Sequence, residues 1–350
     1  MQREISIEEA IDSGACFIDV RSEGEFAEAT IPGAINVPLL KNGDRALVGK
    51  VYKEAGPEQA RELGLELVCP RLPELIRQIR EVSRRCTVVV FCWRGGMRSS
   101  SICSVLETMG VPAARLTGGY KAYRRYVNDY LSKPLQHKIV VLHGLTGVGK
   151  TDVLQNLDLM GVSAIDLEGL ANNRGSVFGN IGMPPQPSQK MFDGLLISEL
   201  RRVEKTGYAV VECESRRIGR IILPQVMTDG MREGLHLLLY CSVECRVRRL
   251  VDIYTGGAGR NRVKLKEAIL SLEKRIGRAK SEELTALVEE GGFADVAEYL
   301  LKEYYDPLYR YPDGPDDNYD LSVDTVDPQQ AAEKIKTFLS LKFNMTTIGR

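Results

Sequence analysis

Two short loops in this 350-residue chain carry residues able to do chemistry, and the two chemistries differ. The first is Cys92-Trp93-Arg94-Gly95-Gly96-Met97-Arg98-Ser99, directly after the β-branched run Thr87-Val88-Val89-Val90-Phe91. A thiol attacks only as its thiolate. A loop that leaves a strand to open a helix favours that anion through inward N–H groups and the helix dipole. Gly95 and Gly96 permit the inward turn. Arg94 and Arg98 bring positive charge to a thiolate or an incoming oxyanion, and Ser99 offers a hydroxyl. Cys92, Arg94, Arg98 and Ser99 are the candidate catalytic residues.

The second loop is Gly144-Leu145-Thr146-Gly147-Val148-Gly149-Lys150-Thr151, directly after Lys138-Ile139-Val140-Val141-Leu142-His143. This is a Walker A sequence. Its glycines allow a nest of N–H groups, Lys150 reaches terminal phosphate oxygens, and Thr151 can ligate Mg²⁺. Gly144, Thr146, Gly147, Gly149, Lys150 and Thr151 are the candidate phosphate ligands, and a diphosphate without a nucleoside would satisfy them as well as ATP. Asp166, Glu212 and Glu214 fall at the ends of later strand-like runs, with Arg174 and Arg216 close by in sequence. Asp166 matches the position where small-molecule kinases hold substrate, while Glu212 and Glu214 either position Mg²⁺ or a water or cap the strand and pair with Arg216 and Arg217.

The elements that must hold these loops alternate in type. Strand-like runs at 15–20, 34–38, 87–91 and 114–116 are interleaved with helical spacing at 71–82 and 99–109. Five more runs follow, at 138–143, 162–166, 208–213, 236–240 and 319–323, with helices predicted at 189–206 and 245–254. Such alternation predicts an α/β protein built on open parallel sheets. The predicted domains are 1–130 and 131–350, joined through the tyrosine-rich stretch 120–135, which also serves as the candidate pivot. The Gly-, Pro- and Asn-rich stretch 172–188 is a long loop, and long loops in compact domains are often functional.

Composition narrows the setting. The net charge is zero, so a nucleic-acid partner needs a local patch. One exists in sequence. Residues 244–280 hold eleven Lys and Arg against four Asp and Glu, around a Gly-rich hinge at 256–259. Such a stretch reads as a mobile lid, an RNA-backbone contact or a solvated helix face, and the imbalance favours a polyanion, with Arg246, Arg249, Arg260, Arg262, Lys264 and Lys266 as its candidate RNA contacts. The eight cysteines form no C-x2-C pair and the three histidines are scattered, so no metal site is predicted. Most cysteines, Cys86 and Cys103 among them, read as small buried hydrophobes in a reducing cytoplasm. The start of the chain has no apolar core of a signal peptide, and no run approaches the ~20 apolar residues of a membrane span.

Four segments, in order, resemble the rhodanese family. They are Asp19-Val20-Arg21-Ser22 with Glu25-Phe26, Ile31-Pro32-Gly33-Ala34-Ile35-Asn36-Val37-Pro38, the cysteine loop, and Leu116-Thr117-Gly118-Gly119-Tyr120. The resemblance covers roughly 5–125 and implies a cysteine that carries sulfur or selenium. Five residues separate Cys92 from Arg98. That is the longer loop of the relatives acting on phosphate esters, and it suits a phosphate-like donor such as selenophosphate.

A rhodanese-like domain followed by a P-loop NTPase-like parallel-sheet domain resembles the tRNA 2-selenouridine synthase family. The segments at 166–179 and Glu212-x-Glu214-Ser215-Arg216-x-Ile218-Gly219 add to the likeness, while 281–298 reads as a helical insert. The resemblance implies that the sulfur of wobble 2-thiouridine in tRNA is replaced by selenium from selenophosphate, through an S-geranylated intermediate made from geranyl diphosphate. Both are co-substrates. No tightly bound cofactor is implied, and Mg²⁺ and a selenophosphate-supplying enzyme are candidate partners. Phe178, Ile181 and Met183 are candidate prenyl-pocket residues. The competing readings are a P-loop small-molecule kinase fused to a sulfurtransferase, a phosphatase using Cys92, and a tRNA-binding adaptor.

Overall fold

The computed structural model describes residues 3–256 and 261–347, so Arg260 lies outside the described residues. The chain divides into two compact units, Met1–Ser132 with Pro187–Ile197, and Lys133–Gln186 with Ser198–Arg350.

The first unit is built on a five-stranded parallel sheet. Its strands are β1 (Glu4–Ile5), β2 (Cys16–Asp19), β3 (Ile35–Asn36), β4 (Val88–Phe91) and β5 (Ala113–Leu116), in the order β1-β5-β4-β2-β3. All four residues of β4 are buried, as a central strand covered on both faces requires. Val88 and Val90 face helices Leu72–Ser83 and Met97–Thr108, where Ile79, Ile102 and Leu106 complete the layer. Val89 and Phe91 face the other way, toward Tyr120, Tyr123 and Val127 of helix Gly119–Leu131. Cys92 follows β4 directly, so the thiol loop sits at the carboxyl end of the sheet.

The second unit repeats the plan. Strands β6 (Lys138–His143), β7 (Ala164–Ile165) and β8 (Tyr208–Glu212) are followed by a small antiparallel hairpin, β9 (Arg217–Ile218) and β10 (Ile221–Ile222). Strands β11 (Leu235–Tyr240) and β12 (Leu321–Asp324) complete a parallel sheet of order β12-β11-β6-β8-β7. All five strands predicted here occur, and β6 is central. Helices Lys150–Leu159 and Pro328–Thr347 cover one face, burying Val153, Leu157, Ile335 and Leu339 against Val140, Leu142 and Val210. Helices Arg262–Ser271, Arg278–Glu290 and Phe293–Leu300 form a separate small core with Phe178 and Ile181.

Two expectations are corrected. The tyrosine-rich stretch 120–135 is not a polar connector over most of its length: it is largely helix Gly119–Leu131, and Tyr120 and Tyr123 belong to the core of the first unit. Nor is Cys86 a free buried thiol. Cys16 and Cys86 are joined by a disulfide, because the start of β2 lies beside the residue that leads into β4, and Cys69 is exposed.

The sheet of the first unit also explains the Asp19-Val20-Arg21 signature as structure. Arg21 Nη2 donates to Asp19 Oδ2 at 2.6 Å and to the Ala29 carbonyl at 2.8 Å, both charges are buried, and the guanidinium lies 4.1 Å from the Tyr120 ring centroid. Removing one partner strands the other charge. Asp19→Ala is therefore expected to destabilise the first unit by about 3–5 kcal/mol. The single tryptophan, Trp93, lies in this unit, so its emission during denaturant titration measures the loss.

Candidate functional site

Cys92 is 3% exposed, and its Sγ lies 3.3 Å from Ser99 Oγ, which in turn donates to the Gly96 carbonyl at 3.2 Å. Gly96 caps helix Met97–Thr108, so the thiol sits at a helix N-terminus of twelve residues. The loop is held against Gly119, whose φ is +58°. A Cβ there would collide with the Cys92 carbonyl and the Gly95 nitrogen, so only glycine lets the two segments touch. Arg94 is exposed. Arg98 is half-buried and its Nη1 donates to Glu25 Oε2 at 2.9 Å, with Arg45 Nε on the same carboxylate at 2.8 Å. Burial works against the Glu25 carboxylate, but the Arg98 hydrogen bond and charge, with Arg45, hold it below its ordinary range. A cavity of about 280 Å³ opens here, lined by Trp93, Arg98, Arg45, Lys190, Glu25 and Glu28 among others. Elsewhere in the unit burial pushes the Cys103 thiol up to about 11, which leaves it an inert core residue.

The Walker A loop lies between β6 and helix Lys150–Leu159. Gly144, Gly147 and Gly149 all have positive φ, and a Cβ on Gly144 would strike the Leu239 carbonyl. Lys150 Nζ donates to the Gly144 carbonyl at 2.9 Å. The loop lines a cavity of about 320 Å³ together with Thr151, Glu168, Arg174, Glu214 and Arg249. Thr151 offers its hydroxyl there. Among the described residues no group of three or more His, Cys, Asp or Glu is placed to hold a metal ion, so a Mg²⁺ at this loop would rely on Thr151, the ligand's own phosphate oxygens and water. Thr146, Ser176, Leu250 and Tyr254 also line a second, almost wholly apolar cleft with Phe178, Leu265, Val288 and Leu300. The polar cavity and the apolar cleft thus share one wall.

Burial raises the pKa of the cavity carboxyls. Burial and the neighbouring Glu168 raise Glu214 to about 9, and burial raises Glu168 despite Lys150 nearby. The two share a hydrogen bond. Glu212 is fully buried and raised well above the carboxylate range by burial and by Asp166; its Oε1 accepts from the Glu168 N–H at 2.7 Å.

Comparison with known proteins agrees with this architecture. Residues 137–319 match the family model for the tRNA 2-selenouridine synthase AAA domain, and residues 6–126 match that of the rhodanese-like domain. A tRNA 2-selenouridine synthase of Cupriavidus necator is 35% identical over 328 residues, covering 85% of this chain and 88% of the relative. Those of Cupriavidus pinatubonensis and Shewanella frigidimarina are 34% and 32% identical, covering 85% and 84% of this chain and 89% and 87% of the relatives. The chain belongs to the tRNA 2-selenouridine synthase family.

Set against this tRNA 2-selenouridine synthase fold, the sequence-predicted residues separate. The cysteine-loop residues Cys92 and Ser99 are in contact, with Arg98 on the adjacent cavity, and the Walker A residues share one cavity with Glu214 and Arg174. Asp166 is a helix cap: its Oδ1 accepts from the Gly169 N–H at 2.6 Å, and Glu168 takes the cavity position instead. Arg216 and Arg217 are exposed, whereas Glu212 is buried and Glu214 lines the phosphate cavity. Arg174 Nη1 donates to the Ile181 carbonyl at 2.9 Å, which steadies the 172–188 loop over the cavity. Of the proposed prenyl-pocket residues, Phe178 lines the apolar cleft, Ile181 is packed in the adjacent core, and Met183 is half-buried outside both.

Arg246 is a correction: it is not a tRNA contact. It is 1% exposed, its Nε donates to the Thr146 carbonyl at 2.8 Å, and its guanidinium pairs with Asp306. Arg249 turns inward too, giving Nη1 to the Val148 carbonyl at 2.9 Å and Nη2 to Thr325. Of the other candidates, Arg262 donates to the Glu289 carbonyl, Lys266 pairs with the Glu289 carboxylate, and Lys264 is exposed. Much of the +7 in the sequence segment is therefore met by acids outside it. Sequence reasoning missed Glu168, Cys213, Tyr254, Tyr309 and Tyr311, all lining the phosphate cavity. For Cys213 the signal was its place at the carboxyl end of a parallel strand, where such folds gather ligands.

The raised Glu214 has a measurable consequence. Its folded pKa lies above the unfolded one, so the native state keeps a proton that the unfolded chain releases, and stability falls as pH rises from about 4.5 toward 9. Glu214→Gln removes this slope. Calorimetry across that window is expected to show the variant gaining about 1–3 kcal/mol relative to wild type at the alkaline end.

Proposed function

We propose that this protein replaces the sulfur of wobble 2-thiouridine in tRNA with selenium, in two steps assigned to its two units. Family membership supports the synthase activity, and with it a setting where tRNA is found, the cytoplasm. The observation that carries the first step is the wall shared by the phosphate cavity and the apolar cleft. A nucleotide base placed in that cleft would bury hydrogen-bonding edges that its almost wholly apolar walls cannot meet. A prenyl diphosphate such as geranyl diphosphate suits both spaces, since its head fits the N–H nest and its tail gains about 25 cal/mol for each Å² removed from water.

The chemistry is coherent. A thiocarbonyl sulfur leaves poorly, but once alkylated it can leave as a thiol. In the first step Lys150 and the loop N–H groups bind the diphosphate and stabilise the charge it gathers as it departs. A Mg²⁺ held by Thr151 and the phosphate oxygens would supply further positive charge. In the second step selenophosphate, delivered by a supply enzyme, meets the cysteine loop. Arg98 and the adjacent basic cavity hold its oxyanion, Arg94 adds charge at the rim, and Cys92 with Ser99 guides or carries the selenium to the alkylated carbon.

Mass spectrometry of nucleosides from 2-thiouridine tRNA tests this reading. With geranyl diphosphate alone, wild type and Cys92→Ser are expected to give the S-geranyl nucleoside, and Lys150→Ala to give it about 100-fold more slowly or worse. With selenophosphate added, only proteins with Cys92 should yield 2-selenouridine. No change of nucleoside mass in any mixture would sink the proposal and leave ATP turnover as the next activity to examine.

A further inference from the structure

A line of polar side chains leads away from the phosphate cavity, and the steps above use none of it. Tyr311 and Cys213 line the cavity, with Cys213 Sγ 3.2 Å from Tyr311 Oη. Tyr311 Oη is 3.4 Å from Nδ1 of His143, the last residue of β6 before the Walker A loop. His143 Nε2 is 2.8 Å from His236 Nδ1, and His236 Nε2 is 3.4 Å from the Arg232 carbonyl oxygen. His236 is half-exposed on β11.

The far end sets the sense of this line. A carbonyl only accepts, so His236 carries its proton on Nε2 and its Nδ1 accepts. His143 then donates through Nε2 and presents a bare Nδ1 to Tyr311, whose O–H donates to it. The remaining lone pairs of Tyr311 face Cys213 and the cavity. Each of these hydrogen bonds therefore points outward from the cavity, and the set is mutually reinforcing.

Resting on the prenyl-transfer reading, we propose that Tyr311, His143 and His236 form a relay that carries a proton from the phosphate cavity to solvent. S-alkylation creates that proton. The carbon–oxygen bond of the prenyl diphosphate breaks, its electron pair leaves with the diphosphate, a carbon–sulfur bond forms, and the ring N–H beside the thiocarbonyl must be lost. Tyr311 Oη takes this proton and gives its own to His143 Nδ1. His143 passes its Nε2 proton to His236 Nδ1, and the His236 cation releases one to water. Turning of the two rings, or exchange at His236, restores the starting tautomers. Nothing is oxidised or reduced.

The surroundings favour this route over a carboxylate base. Glu214, raised to about 9, keeps its proton, burial raises Glu168 and the Glu214 hydrogen bond occupies it, and Lys150 is engaged with the loop carbonyls. Lys150, His236, Tyr311 and the Tyr319 ring face His143. Burial first, then His236 and Lys150, pull its pKa down to about 4, so it rests neutral with one nitrogen free.

The test follows single-turnover S-geranylation of a 2-thiouridine anticodon stem-loop by the full chain, at pH 7 in dilute buffer with increasing imidazole. Geranyl diphosphate Kd and thermal melting are measured alongside. The wild-type rate is expected to be flat in imidazole. Tyr311→Phe and His236→Gln should each be slower by about tenfold or more, with Kd and melting unchanged, and imidazole should restore most of the loss in His236→Gln. Wild-type rates in both variants, or a slow His236→Gln whose rate ignores imidazole, would overturn the relay. If Tyr311→Phe does not fold, His236→Gln decides alone. Wild type that forms no S-geranyl nucleoside would instead bring down the prenyl-transfer reading, and the relay with it.

Discussion

A loop that turns its N–H groups inward must turn its carbonyls outward, and at the Walker A loop those carbonyls are buried. The structure depends on how they are satisfied. Arg246 takes the Thr146 carbonyl, and Arg249 with the Thr325 hydroxyl takes that of Val148. A buried carbonyl left without a donor costs about 1–3 kcal/mol, and a charged donor gives the stronger bond. Two arginines from helix Val243–Thr255 and a threonine just past β12 thus shape the nest from behind. Asp306 in turn holds Arg246, so the loop, the helix and the segment after the helical cluster stand or fall as one.

The same unit keeps its acids from working against its ligand. Glu168 and Glu214 lie near Lys150, and as carboxylates they would repel any phosphate. Burial raises both, and Glu214, at about 9, keeps its proton and so carries no charge to push a phosphate away. A phosphate at this loop would then meet the N–H nest and Lys150 with Arg174 and Arg249 on the same cavity, beside the apolar cleft.

The parts legible in the sequence are those whose causes are local. Val88 to Phe91 and Ile139 to Leu142 are apolar runs that can only be central strands, and the Gly-rich loops after them follow from a backbone that must curl around an anion. Leu75, Ile76 and Ile79 show their helix by spacing alone. What stayed hidden depends on pairing across the chain. Arg246 looks like any surface arginine until Asp306, sixty residues on, is folded beside it. Asp166 and Glu168 are two residues apart, and only the cap geometry sends one to the helix and the other to the cavity. Tyr120 and Tyr123 suggest a polar connector until the fold lays the Arg21 guanidinium over the Tyr120 ring and buries both tyrosines in a core.

The Cys16–Cys86 bond makes a covalent ring of the first unit's early chain, with a sequence separation of 70 residues. Strands β2 and β3 and the helices Glu23–Glu28, Asn42–Glu54, Pro57–Val68 and Leu72–Ser83 lie within that ring, while Cys92 and its loop lie just beyond the closure. In the chain-entropy picture a ring of this size removes roughly 4 kcal/mol of freedom from the unfolded chain. Opening it to two thiols would leave the folded strands paired as before but make unfolding easier. The cysteine loop would then rest on a scaffold whose resilience follows the thiol–disulfide balance around it, set by two sulfurs outside that loop.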